Sequence, residues 1–211
     1  MIKSYKLFIL IFLFITQLVG CFAPVAVTGV VATPLSFADR RSAEVQYIDQ
    51  RIEFKAIIEI QETYRESLEY ETIFKDANVA FVSFNQTLVI TGEVPSDELK
   101  NKIEELAKNV EGVKNVKNFL LVGKNSSLRS RGLDVISTAN VKSRIFTKTN
   151  SGQYKDKLSA THIKVFTERQ EVYLMGLVTK EEADIAIAIA KSSKGAKKII
   201  PLFEINESFK K

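Results

Sequence analysis

Among 211 residues there is one cysteine, one histidine and no tryptophan. A single thiol excludes an intramolecular disulfide and cannot build a multi-thiolate zinc or iron–sulfur site. His162 is the only imidazole, which leaves little for histidine-centred catalysis or metal binding. The nine glycines are scattered as turns and caps, and no phosphate-cradling glycine loop occurs. Glu104-Glu105 and Glu181-Glu182 fall on helical patterns, where adjacent carboxylates are solvated, and no nucleophile–base set is visible. The expectation is therefore a non-enzymatic protein with no catalytic residues, no metal and no cofactor. Hydrophobic residues at 45% and charged residues at 26% fit a folded chain. The length allows one or two domains of about 100 residues each. A net charge of +5 suggests nucleic acid or an anionic membrane as partner, depending on where the charge lies.

The start of the chain is an address. Lys3 and Lys6 precede an uncharged, almost wholly apolar run from Leu7 to Val19. That is the layout of a secretory signal peptide. At about 1.5 Å per residue the run spans about 20 Å, short of the ~30 Å needed by a permanent transmembrane helix. Leu18-Val19-Gly20-Cys21 resembles the lipobox of bacterial lipoproteins. There the Cys thiol takes a diacylglycerol, the peptide is cut before it, and the new amine is acylated. Several acyl chains hold a protein stably where one does not. In enterobacteria-like systems an Asp after that Cys retains a lipoprotein in the inner membrane, so Phe22 favours the outer membrane, facing the periplasm. Export also makes nucleic acid an improbable partner. Residues 22–38 contain no charge and are interrupted by Pro24, Gly29 and Pro34, which reads as a tether rather than a second span.

The rest is one unit written twice. Phe81–Val94 aligns with Val165–Val178, Gly92 with Gly176, and Pro95–Glu98 with Thr179–Glu182. Gly112 and Gly195 fall where a helix should end and a last strand begin. Val79/Phe81 and Leu88/Ile90 alternate as strands, as do Ile163/Val165 and Val172/Leu174. Leu99, Ile103, Leu106 and Val110 then draw one helical stripe. Ala183 to Ala190 is its counterpart, with Thr179 and Glu182 spaced as a capping box. Helical patterns at about 45–60 and 134–148 precede the strand pairs. Each repeat reads helix–strand–strand–helix–strand, an α+β unit with two helices on a three-stranded mixed sheet. The domains expected are a signal peptide (1–20), lipidated Cys21 with its tether (21–38), a first repeat (39–123) and a second (124–211).

This pattern resembles the BON domain, through the strand pair ending in Gly92-Glu93-Val94 and Gly176-Leu177-Val178 and the helix and glycine turn that follow. The lipobox, tether, Asp39-Arg40-Arg41 start and two repeats together resemble the dual-BON outer-membrane lipoproteins, over roughly residues 1–205. The resemblance implies binding of anionic phospholipid (phosphatidylglycerol or cardiolipin) through the second repeat, enrichment at division sites and support of envelope integrity.

The charge is split. Residues 39–123 carry five more acids than bases, and residues 124–211 carry eight more bases than acids. Each cation near an anionic bilayer contributes about 1 kcal/mol, so only the second repeat has an excess to use. The alternative is that the two repeats attract each other. Where Glu93 stands in the first copy, Leu177 stands in the second, so a charged position should be exposed and Leu177 should be an apolar surface residue. Matching Ile52 with Val141 sets Glu53 against Lys142 and Ile57 against Phe146. Val141 and Ile145 form the expected core stripe, leaving Ile136, Ala139, Lys142 and Phe146 on another face. The expected lipid-binding set is Ile136, Ala139, Lys142, Phe146, Gly176 and Leu177. The alternative is that Ile136 and Phe146 pack on the neighbouring repeat. The family often has a Trp where Ile136 stands, and this chain has none, which weakens interfacial anchoring. A second function class is an adaptor for outer-membrane assembly or peptidoglycan-remodelling proteins, using Glu62, Glu66, Glu69 and Glu71 of the acidic repeat. A passive spacer is a third.

Overall fold

The computed structural model describes residues 39–65 and 77–209. The leader, Cys21, the tether, Glu66, Glu69 and Glu71 lie outside them. The first repeat runs α1 (Ala43–Arg65), β1 (Asn78–Phe84), β2 (Thr87–Val94), α2 (Asp97–Asn109) and β3 (Asn115–Val122). The second runs α3 (Leu128–Asn150), β4 (Lys164–Glu168), β5 (Glu171–Val178), α4 (Lys180–Lys191) and β6 (Lys198–Ile205), with 3₁₀ turns at Ala160–His162 and Glu207–Phe209. In each sheet the middle strand pairs antiparallel with the first and parallel with the third. The parallel step needs a crossover, and α2 and α4 supply it.

Local signals place these elements. Ser96 caps α2 by accepting from the Leu99 amide. Thr179 and Glu182 cap α4 reciprocally, as their spacing predicts. Both hairpins turn through two residues at positive φ, Asn85-Gln86 and Arg169-Gln170, the backbone that matches strand twist in a two-residue loop. A buried carboxylate on each leading helix holds the turn. Asp49 accepts from the amides of Asn85 (2.8 Å) and Gln86 (2.7 Å), and Asp134 from those of Arg169 (2.9 Å) and Gln170 (2.8 Å). Gly92 sits at φ +117°, and a Cβ there would lie 1.8 Å from the Asn78 carbonyl oxygen.

The paired aspartates correct the expected alignment of the leading helices. Asp49 corresponds to Asp134, so Ile52 corresponds to Ser137, not Val141. The glycine turns agree: Gly112 backs onto Ile52 and Gly195 onto Ser137. Glu53 is therefore not the counterpart of Lys142, nor Ile57 of Phe146. The error is four residues, which rotates a helix by only about 40°. A slip that small leaves the apolar pattern in place. Helix α3 also starts at Leu128, earlier than the expected 134, because Ser127 caps it by accepting from the Ser130 amide.

Three cores result. Ile52, Ala56 and Ile60 of α1 meet Leu88, Ile90, Leu99 and Ile103 in the first. Val141 and Ile145 of α3 meet Val172, Leu174, Ala186 and Ile189 in the second. The third lies between the sheets, where Phe84 and Val89 pack with Met175 against Val82, Phe119, Phe166 and Leu177. Phe119 meets Tyr173 edge-on at 5.3 Å, and Phe166 stacks on Tyr173 at 4.7 Å. Strand β2, sandwiched between its helices and the other sheet, is buried along all eight residues.

This corrects the reading of position 93. Glu93 is fully buried, not exposed. It accepts from Ser126 and from Asn78 (3.0 Å) and pairs with Arg169 of the second repeat at 3.2 Å. Leu177 packs into the layer between the sheets. Gly176 is buried beneath the His162 carbonyl, where a Cβ would come within 2.5 Å of the oxygen. Neither residue belongs to an outward lipid-facing set.

Candidate functional site

The outer face of α3 stands apart from the rest of the surface. Its inner face buries Asp134, Ser137, Val141, Ile145 and Thr149. On the other side Leu128 is 82% exposed, Val135 70%, Ile136 56% and Phe146 59%. Ala139 and Lys142 are also exposed on that side. Four of the expected residues, Ile136, Ala139, Lys142 and Phe146, thus share one outward stripe. The exposure of Ile136 and Phe146 overturns the alternative that they pack on the neighbouring repeat. Val135 joins the stripe beside Ile136, and Leu128 extends it by two turns. Sequence reasoning missed Leu128 because the helix was expected to begin near residue 134; the Ser127 cap was the available signal.

The charge on α3 is one-sided. The helix carries Arg129, Arg131, Lys142, Arg144 and Lys148. Its one acid, Asp134, is buried on the hairpin turn. Arg131 donates to the Ser126 carbonyl and Arg144 to Ser192. Lys142 has no hydrogen bond or ion pair among the described residues. Beside it lies an apolar cavity of about 400 Å³, lined by Ile145, Phe146, Ala160, Thr161, Ile163 and Val165. An ammonium at the rim of apolar walls pairs a phosphate-binding group with a surface that prefers hydrocarbon.

The repeats also attract each other, as the charge split allowed. Lys164 pairs with Glu53 (2.7 Å) and donates to the Ser83 carbonyl, and Asn85 donates to Glu204 (2.6 Å). These contacts engage Lys164 and Arg169 but none of the cations on α3. At the same interface the Asn78 amide donates to Glu93 and, at 3.3 Å, to Glu168. Burial, with the Glu93 and Asp134 charges nearby, pushes the Glu168 carboxyl up to about 7. Burial pushes Glu93 the same way, but hydrogen bonds from Ser126 and Asn78 and the Arg169 charge outweigh it and hold the carboxyl below its ordinary range.

The Asp39-Arg40-Arg41 segment joins both repeats. Arg40 makes a two-pronged pair with Glu182 (2.6 and 2.8 Å), donates to the Leu177 carbonyl and lies over the Phe209 ring. Arg41 binds Asp39 and Asp49 and lies over Phe84. His162 belongs to the Arg40 corner. Its Nδ1 stands 3.7 Å from Glu182. Burial and the Arg40 charge lower its proton affinity despite the Glu182 carboxylate. Among the described residues no group of three His, Cys, Asp or Glu is arranged to hold a metal, and no helix is long and apolar enough to cross a membrane.

Two α-β-β-α-β units, each a pair of helices on a mixed three-stranded sheet, joined sheet to sheet, define a tandem BON-type protein. The BON domain family matches residues 59–124 and 128–207, and the chain belongs to that family. It is 34% identical over 185 residues to the "Outer membrane lipoprotein DolP" of Haemophilus influenzae, covering 88% of each chain. It is 26% identical over 162 residues to the "21 kDa hemolysin" of Actinobacillus pleuropneumoniae, covering 77% of this chain and 76% of that one. A solved chain of CdsD, a structural protein of the Type III secretion system of Chlamydia trachomatis, covers 72% of this chain and 93% of its own. Its 9% identity and TM-score of 0.23 are too low to bear on function.

Proposed function

We propose that this chain is a non-enzymatic outer-membrane lipoprotein, anchored through Cys21 and facing the periplasm, whose second BON domain docks on anionic phospholipid through the outer face of α3. The relation to an outer membrane lipoprotein over 88% of the chain supports the location, and the lipobox Leu18–Cys21 supports the anchor. The observation that carries the docking is the α3 surface itself: exposed Val135, Ile136 and Phe146 beside the unpartnered Lys142, with the helix's one acid buried. Phosphatidylglycerol and cardiolipin fit because both present phosphate without a compensating cation. Support of envelope integrity and enrichment at division sites belong to the same proposal.

Vesicle flotation of the unlipidated mature chain, residues 22–211, tests it. Binding should require anionic lipid, weaken with salt and fall on Lys142→Glu or Phe146→Ser. Equal binding to neutral and anionic vesicles would sink the reading. An adaptor role is favoured by one observation, the exposed Glu44 and Glu62 on α1. Recurrent in-cell crosslinks from Glu62→Cys to an envelope-assembly or peptidoglycan-remodelling protein would establish it.

A further inference from the structure

We infer that the membrane footprint is not confined to the second repeat: Phe54 and Ile57 of α1 enter the same leaflet as Phe146 of α3, on the opposite rim of a cleft between the repeats. This rests on the lipid-docking reading and adds a residue set from the first repeat to it.

The cleft, about 290 Å³, has Gln46, Gln50 and Glu53 of α1 on one wall and Lys142 of α3 on the other, with Ile163 and Lys164 between. Gln50, Phe54, Ile57 and Gln61 recur at i, i+4, i+7 and i+11, so they form one stripe along α1. Gln50 lines the cleft, and the stripe therefore runs along its rim. It carries no charge. Phe54 is 65% exposed and Ile57 44%, although a first-repeat core with Ile52, Ala56 and Ile60 lies on the other side of the same helix. Nothing among the described residues covers them. Across the cleft, Lys142 and Phe146 stand one turn apart on the facing rim. Ile163 and Lys142 border both this cleft and the apolar cavity beside Phe146. The two apolar rims thus belong to one continuous surface, with Asp39, Arg41, Asp49, Glu53 and Lys164 between them.

Two observations select a bilayer as the occupant. The charges inside the cleft pair with one another, Arg41 with Asp39 and Asp49 and Lys164 with Glu53, which leaves the Lys142 ammonium on the α3 rim to match a headgroup phosphate, while the α1 rim is uncharged. The described residues also begin here. Asp39 and Arg41 line this cleft, and 17 uncharged residues separate Asp39 from Cys21. In the proposed anchored chain, the link to Cys21 therefore joins the described residues at this surface.

The absence of tryptophan makes the test clean. Single reporters Phe54→Trp, Phe146→Trp and, away from the cleft, Leu121→Trp are placed in the mature chain. Each is mixed with vesicles of phosphatidylglycerol and phosphatidylcholine, and with phosphatidylcholine alone. Emission at positions 54 and 146 should move to shorter wavelength with anionic vesicles and be quenched by lipids brominated on their acyl chains; emission at 121 should do neither. A response at 146 with none at 54 overturns the inference and leaves the docking reading standing. No response at either position overturns both. A response at 121 equal to that at 54 shows unspecific adsorption and overturns the inference. Independently, Phe54→Ser with Ile57→Ser should lower partitioning about tenfold, from the apolar area no longer buried in the interface, with circular dichroism unchanged. Unchanged partitioning would count against it.

Discussion

Glu93 and Glu168 approach each other from different repeats with the Asn78 amide donating to both. Asp134 adds negative charge and Arg131 and Arg169 add positive charge around them. Folding lifts the Glu168 carboxyl from an ordinary 4.5 to about 7. The folded chain therefore binds a proton that the unfolded chain has already released. Stability from this site is complete below about pH 4.5 and declines as the pH rises through 7. Glu168→Gln should flatten the thermal midpoint between about pH 4.5 and 7 and raise it at the upper end. A variant whose midpoint follows the parent across that range would contradict the assignment. The comparison separates Glu168 from His162, whose slope has the opposite sign. His162 is kept neutral in the fold by burial and Arg40, so its contribution is lost as pH falls below its ordinary 6.5. Glu93 and Glu182, both held low, lose theirs only as pH drops below about 4.5.

At the scale of elements, each hairpin turn is tied to its leading helix by one buried aspartate. Asp49 does more than Asp134. It also accepts from the Ser83 hydroxyl at 2.6 Å and from Arg41 at 2.6 Å. Asp49→Ala should cost about 3 kcal/mol in urea unfolding and Asp134→Ala about 2 kcal/mol, since hydrogen bonds to a buried charge are the strong ones. The reverse order would mean that the helix–turn tie is not what these carboxylates supply. The same pair shows what was legible beforehand. Strands, crossover helices and caps carry their own periodicity and cap residues, so Ser96, Thr179 and Gly92 announce themselves. The leading helices do not. Their pairing partners are turn amides about 35 residues away, and an apolar stripe looks nearly the same after a slip of one turn.

For the molecule as a whole, the legible half of the candidate site was the half that faces solvent. Ile136, Ala139, Lys142 and Phe146 follow from helical spacing alone. Gly176 and Leu177 failed because a carboxylate at position 93 signals exposure unless its partners are known. One of those partners, Arg169, is 76 residues away, and the buried faces of the two sheets meet only in the folded chain. Leu177→Glu should accordingly act on folding rather than on docking: a carboxylate forced into the layer with Phe84 and Met175 should lower stability by about 2 to 4 kcal/mol. Lys142→Glu, an exposed site without partners among the described residues, should leave the unfolding midpoint within about 0.5 kcal/mol of the parent while weakening anionic-vesicle binding at least tenfold. Equal loss of stability in both variants would argue that α3 is a packed face after all.

The two arginines at the chain's entry have a mechanical consequence. Arg40 grips Glu182 of the second repeat, and Arg41 grips Asp49 of the first. In the proposed anchored chain, tension entering at Asp39 reaches these two residues before α1 or any described strand, and each passes it to a different repeat. The repeats are loaded side by side instead of end to end. A pull entering at Asp39 is thus shared between the two repeats rather than delivered to the first alone.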